Sequence, residues 1–220
     1  VSCWTKAKTE SIPMWSMYTS RDSGVRIKLK EAFFKEYPID KEKVQELYPD
    51  IEVSGDESNL KALFTIEKLT KQPFYCTPFK SEQLLVPITY TSDSSLLQPK
   101  IIQEFRGGLQ IEFDRLGKFK NKAWQFQEEW RYRMTLMPFS AEEAFLKPEQ
   151  LSNAVLQRIV SESYAIPTFI DLDIDDEAFN ELEVTISPFM TAGNRCIVND
   201  LIEKYCSSAT VNESELDKLV

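Results

Sequence analysis

Apolar and polar residues alternate most clearly over residues 123–137. Phe126, Trp130, Tyr132, Met134 and Leu136 fall on one parity, and Gln127, Glu129, Arg131 and Arg133 on the other. Successive side chains on a strand point to opposite faces, so the pattern predicts one long strand over 123–137. One face is expected in a core. The other sets an amide, a carboxylate and two guanidiniums in a row roughly 20 Å long. Groups so arranged either pair among themselves or line a site, and the pattern alone favours pairing.

The same periodicities predict strands over residues 2–5, 24–30, 83–90, 169–174 and 182–187. Helices are predicted over 10–18, 31–37, 41–47, 60–69, 141–145, 148–162 and 193–205. Thr9 or Ser11 can cap the first, and Pro13 suits its first turn. A helix capped within 92–95 is predicted to reach Phe105, with Gly107-Gly108 as a break. Residues 53–59 read as a polar turn and 176–180 as a single helical turn. Helices and strands mix without regular β-α-β order, which predicts an α+β fold. One domain is expected over 1–206, followed by a polar, frayed tail over 207–220. The chain begins with Val rather than Met, and an upstream segment is expected to be missing.

The sequence has no histidine, which excludes Ser-His-Asp or Cys-His catalysis and histidine-ligated metal within the chain. Cys3, Cys76, Cys196 and Cys206 form no C-x-x-C pair, so four reduced thiols and a cytoplasmic location are expected. The net charge of −9 argues against extended nucleic-acid binding or an anionic membrane surface. The densest basic stretch is Lys118, Lys120, Lys122, Arg131 and Arg133. No stretch approaches the roughly 18 apolar residues of a membrane-spanning helix.

Asp171, Asp173, Asp175 and Asp176 make an oxygen-rich run of the kind that suits magnesium or calcium. Asp176 and Leu182 stand where a calcium loop needs Gly and Glu, so no metal is expected there. Trp15 and Tyr18, three apart, share a helix face; such pairs are usually core, though they can also stack on a ring. Gly107-Gly108 lacks the neighbours of a phosphate loop.

Four segments together resemble a bacterial family catalogued as domain of unknown function 2971. They are Ser-Cys-Trp-Thr (2–5), Met-Trp-Ser-Met-Tyr (14–18) with Gly-Val-Arg-Ile (24–27), Trp-Gln-Phe-Gln-Glu-Glu-Trp-Arg (124–131) and Val-Thr-Ile-Ser-Pro (184–188). The family core reads Trp-x-Tyr-Glu-x-Glu-aromatic-Arg. Here Phe126 replaces its Tyr and Gln127 its first Glu, while Glu129 and Arg131 match. The strand Gln127-x-Glu129 pair is also similar to that of ADP-ribosyltransferases, with Ser2 on an early strand as the second element. That resemblance implies NAD as substrate, Glu129 and Gln127 as catalytic residues, and Ser2, Trp15, Tyr18 and Arg131 around the dinucleotide. It further implies a toxin or phage-defence setting.

Three functions follow as expectations. One is an ADP-ribosyltransferase-like enzyme using NAD. The second is a non-catalytic binding or regulatory module that takes a small nucleotide or a protein partner. The third is a metal-dependent hydrolase built on the aspartate run.

Overall fold

Two three-stranded sheets face each other across a cleft. The computed structural model describes residues 1–20, 22–49, 60–78, 80–105, 108–146, 148–161, 164 and 167–217. The first sheet holds β1 (Ser2–Thr5), β6 (Leu85–Pro87) and β11 (Glu129–Tyr132) in the order β1-β11-β6, antiparallel throughout. The second holds β2 (Val25–Lys28), β13 (Glu183–Ile186) and β14 (Thr210–Glu213) in the order β14-β13-β2. β13 runs antiparallel to β2 and parallel to β14. A parallel pair needs a crossover, and α7 (Ala192–Tyr205) supplies it.

Short pairs complete the β structure. They are β3 (Tyr37–Pro38) with β4 (Lys61–Ala62), β5 (Tyr75–Thr77) with β12 (Thr135–Met137), β7 (Thr89–Thr91) with β10 (Phe119–Asn121), and β8 (Ile102–Phe105) with β9 (Gly108–Ile111). The remaining helices are α1 (Ile12–Tyr18), α2 (Lys41–Leu47), α3 (Ile66–Lys71), α4 (Ser94–Leu97), α5 (Ala141–Leu146) and α6 (Pro148–Val160). The result is a mixed α+β domain. Among the described residues, no helix is long and apolar enough to cross a membrane.

An aromatic cluster backs the first sheet. Phe33 lies 5.0 Å from Tyr132 and 5.2 Å from Trp4, and Phe34 lies 5.1 Å from Tyr132, mostly edge to face. Leu63, Phe64, Phe74, Cys76, Leu84 and Ala178 extend this core.

Several predicted elements form differently. The long strand over 123–137 is broken into three pieces. The Asn121 side chain accepts from the Ala123 amide at 2.9 Å and starts a 3₁₀ turn over Lys122–Gln127. Glu128, with φ of 43°, reverses the chain before β11. Local capping therefore overrides the alternation, and Trp124 and Phe126 are left exposed. The predicted helix over 31–37 is extended. Its Phe33 carbonyl and Lys35 amide bond to Asp175 and Asp173, each at 2.8 Å, and burial of Phe33 outweighs helix propensity.

Residues 60–69 divide between β4 and α3. The helix expected to reach Phe105 stops at Leu97, because Gln98 precedes Pro99 and leaves helical geometry. The pair β8–β9 follows it; Gly107 lies outside the described residues, as does the polar turn over 53–59. Residues 169–174 form no strand beyond a single bridge from Ile174 to Phe34. The expected frayed tail instead contributes β14.

Candidate functional site

The register of β1 on β11 sorts the first sheet into two chemically distinct faces. Residues directly opposite each other share a face: Ser2 with Tyr132, Cys3 with Arg131, Trp4 with Trp130 and Thr5 with Glu129. Aromatic rings therefore project on one side. Glu129, Arg131, Cys3 and Thr5 project on the other.

On the polar side, Glu129 is 6 % exposed and Gln127 is 2 % exposed. Such groups stay buried only when paired. Lys120 donates to Glu129 Oε2 at 2.6 Å and also to Gln127 Oε1. Arg131 Nε donates to Glu129 Oε1 at 2.6 Å and its Nη1 to the Gly117 carbonyl at 2.9 Å. Gln127 Nε2 donates to the Tyr18 hydroxyl at 2.7 Å. Thr5 Oγ1 donates to the Gln127 carbonyl at 2.7 Å, and the Glu129 amide donates to the Tyr90 hydroxyl at 2.8 Å. Arg133 reaches away to Asp114, 2.8 Å from its Oδ1.

Burial works to raise the Glu129 pKa, but the bonds from Arg131, Lys120 and Cys3 prevail and hold it at about 2. Burial and the neighbouring Glu129 carboxylate push the Cys3 thiol up. The carboxylate is thus charged at ordinary pH, with both oxygens occupied.

The predicted site residues divide. Gln127, Glu129 and Arg131 come together, although not as one continuous strand: Gln127 ends a 3₁₀ turn and Lys120 joins it to Glu129. Tyr18 reaches them through Gln127. Trp15 does not bond to them. It is buried and donates to Glu10 Oε2 at 2.8 Å. With Tyr18 and Phe126 it lines a cavity of about 200 Å³.

Ser2 is not with Glu129. It lies on the aromatic face, where its hydroxyl accepts from Trp4 Nε1 at 2.9 Å. Thr5 and Cys3 occupy the face expected for it. Lys120 was visible in the basic stretch, but no spacing tied it to residues seven and nine positions on. Tyr90 carried no signal.

The aromatic side opens onto a different feature. A cleft of about 750 Å³ runs between the two sheets, floored by Trp4, Trp130 and Tyr132. Lys6 sits 3.7 Å from the Trp130 ring centroid and pairs with Glu31 at 2.5 Å. Across the cleft, Lys28 pairs with Glu183 at 2.5 Å and Arg26 donates to the Ala7 carbonyl at 3.2 Å. Lys8, exposed at the rim, joins no ion pair among the described residues.

The aspartate run is dispersed. Asp173 accepts from the Tyr37 hydroxyl, and Asp175 caps the 3₁₀ turn over Asp176–Glu181 through the Glu177 amide at 3.1 Å. Among the described residues, no group of three or more Cys, Asp or Glu is placed to hold a metal. All four cysteines are free thiols.

No family model, no curated protein and no solved structure matches this chain.

Proposed function

We propose that the protein is a binding module that takes a small nucleotide in the cleft between its two sheets. The observation that carries this reading is the lining of that cleft. Its volume of about 750 Å³ lies within the range of roughly 300–1,000 Å³ typical of small-molecule sites. Tryptophan rings offer stacking surface, and Lys8 and Arg26 offer partners for phosphate, while Glu31 and Glu183 are already paired with Lys6 and Lys28. The Trp130 ring already carries an ammonium, so it accepts a cationic group on its face. A ligand with one cationic ring and a pyrophosphate, such as NAD, matches this mixture of charge. Lys6 would swing aside from Trp130 to admit it.

Calorimetric titration with NAD, ADP-ribose and ATP tests the proposal. Binding is expected for NAD. Trp130→Ala should weaken it by about tenfold or more, since stacking of a base on an aromatic ring contributes about 1–3 kcal/mol. Absence of binding at millimolar ligand, or binding indifferent to Trp130→Ala, would overturn it.

A second reading is ADP-ribosyl transfer at Gln127 and Glu129. It is favoured by one observation: the pair is held together on a single ammonium, with Tyr18 against the amide. Transfer would require Lys120 or Arg131 to release Glu129, so that its charge could face a developing cation. Labelled NAD with cell lysate as acceptor tests it, comparing wild type with Glu129→Gln. Equal labelling by both, or none by either, removes Glu129 from any mechanism.

A further inference from the structure

The helix α7 crosses between β13 and β14 with none of its residues fully buried. Val198, Ile202 and Cys206 are half-buried against the fold. Ile197, Leu201 and Tyr205 are instead 56 %, 51 % and 67 % exposed. They recur every four residues, so at about 1.5 Å per residue they form an apolar stripe roughly 12 Å long on the outer shoulder of the helix. Apolar stripes on helices are ordinarily covered.

The charges beside the stripe indicate what covers it. Asp200 and Lys204 are exposed and lie together on its solvent side. Lys204 leans over the Tyr205 ring at 4.8 Å, which places its ammonium at the stripe's edge. Neither residue joins an ion pair among the described residues. When two identical helices pack antiparallel about a twofold axis, like flanks meet and residues equidistant from the axis face each other. With the axis at Leu201, the two Leu201 side chains meet, and Ile197 of each copy meets Tyr205 of the other. Asp200 of each copy then comes within reach of Lys204 of the other, twice. A parallel pair would bring that charged flank against the half-buried side and leave both charges unmatched.

We propose that α7 is a self-association surface through which two copies of this chain pair antiparallel. The stripe is only three side chains long, far less than the roughly 20–30 residues a side of a typical stable interface, so the association is weak and concentration-dependent.

Sedimentation equilibrium of the purified protein, from low micromolar to near-millimolar concentration, tests this. A monomer–dimer equilibrium is expected, and Leu201→Glu should weaken it at least tenfold while far-UV circular dichroism is unchanged. Asp200→Lys should weaken it by facing Lys204 with a like charge. The double exchange Asp200→Lys with Lys204→Asp should restore it. A wild type that stays monomeric throughout overturns the proposal, and this outcome would leave the stripe to a different partner. A dimer indifferent to Leu201→Glu overturns it too. Loss on Asp200→Lys that the double exchange does not restore overturns the antiparallel register.

Discussion

The ammonium of Lys120 lies 2.6 Å from Glu129 and bonds to Gln127 in the same position, so one cation serves two buried groups from a different strand. Lys120 comes from β10, whose parallel pairing with β7 also brings Tyr90 to the Glu129 amide. The two polar residues that most resembled a catalytic pair therefore have their side-chain oxygens already occupied by donors of the fold around them.

Lys120→Met should be strongly destabilising. It leaves Gln127 Oε1 unbonded and Glu129 with Arg131 as its remaining cation. Removing one partner of a buried ion pair typically costs about 3–5 kcal/mol. A value near the lower end is expected, because Arg131 stays. Lys120→Met combined with Glu129→Gln should cost less than the sum of the two singles, since the second change removes the stranded charge. Urea unfolding of the four proteins measures this. Additive losses would mean that the two residues do not interact.

Stability should fall in acid over a definite window. Glu129 and Glu143 both have pKa values lowered from 4.5 to about 2. For Glu129, burial opposes the shift, and Arg131 and Lys120 produce it. For Glu143, the Arg158 guanidinium at 2.6 Å and the Ser140 amide at 2.9 Å do so. A carboxyl that binds its proton less readily when folded stabilises the fold above its unfolded pKa. That contribution is complete above about pH 5 and is lost as the pH falls from about 4.5 to about 2. Thermal midpoints should decline across this range, and the decline should be shallower in Glu143→Gln. An unchanged slope in that variant would show that Glu143 is not linked to folding.

Thiol labelling should separate the cysteines by position. Cys76 is buried, and burial pushes its pKa up to about 12. The thiolate is the reacting species, so Cys76 should stay unmodified by an aromatic disulfide reagent until the protein unfolds. Cys196 is exposed and should react in the native state, and Cys3, exposed but with its thiol pKa raised by burial and by Glu129, should react more slowly than Cys196. Rapid native labelling of Cys76, located by peptide mass, would contradict the packing around β5.

What could be read from the sequence follows a physical divide. Elements with their own local signals were legible: α2 has Asp40 as cap, α7 has Thr191, and the strand β13 alternates in and out. Glu31 to Tyr37 was misleading because its helix propensity is overridden by burial of Phe33 and by backbone bonds to the distant residues Asp173 and Asp175. In the candidate site, period 2 grouped Gln127, Glu129, Arg131 and Arg133; the first three do meet, but for an incomplete reason, and Arg133 turns to Asp114 instead. A 3₁₀ turn and a left-handed Glu128 bring Gln127 and Glu129 onto the same lysine. The cleft was not legible, because its two walls come from β1, β11, β2, β13 and β14, and no short motif spans them.

The C-terminal segment is built into the fold. Residues after Ser207 read as a frayed tail, yet β14 pairs with β13 from Thr210 to Glu213, and Ser214 is buried. Glu10 fastens this segment to the start of the fold. Its Oε2 accepts from Ser214 Oγ at 2.6 Å and from Trp15 at 2.8 Å, and its Oε1 accepts from the Glu215 amide at 2.8 Å. Burial opposes ionisation of Glu10, but these donors outweigh it and lower its pKa. Ending the chain at Ser208 should remove β14, expose an edge of β13 and leave Glu10 with Trp15 as its one remaining donor of the three. A large fall in the thermal midpoint is expected, together with loss of a wall of the cleft. Ser214→Ala is the milder test. A hydrogen bond to a charged group contributes about 1.5–3 kcal/mol, so this single change should lower stability by roughly that amount. In Glu10→Gln, where the charge is already gone, the same Ser214→Ala change should cost about 1 kcal/mol. Truncation without effect would return residues 209–217 to the status of a tail.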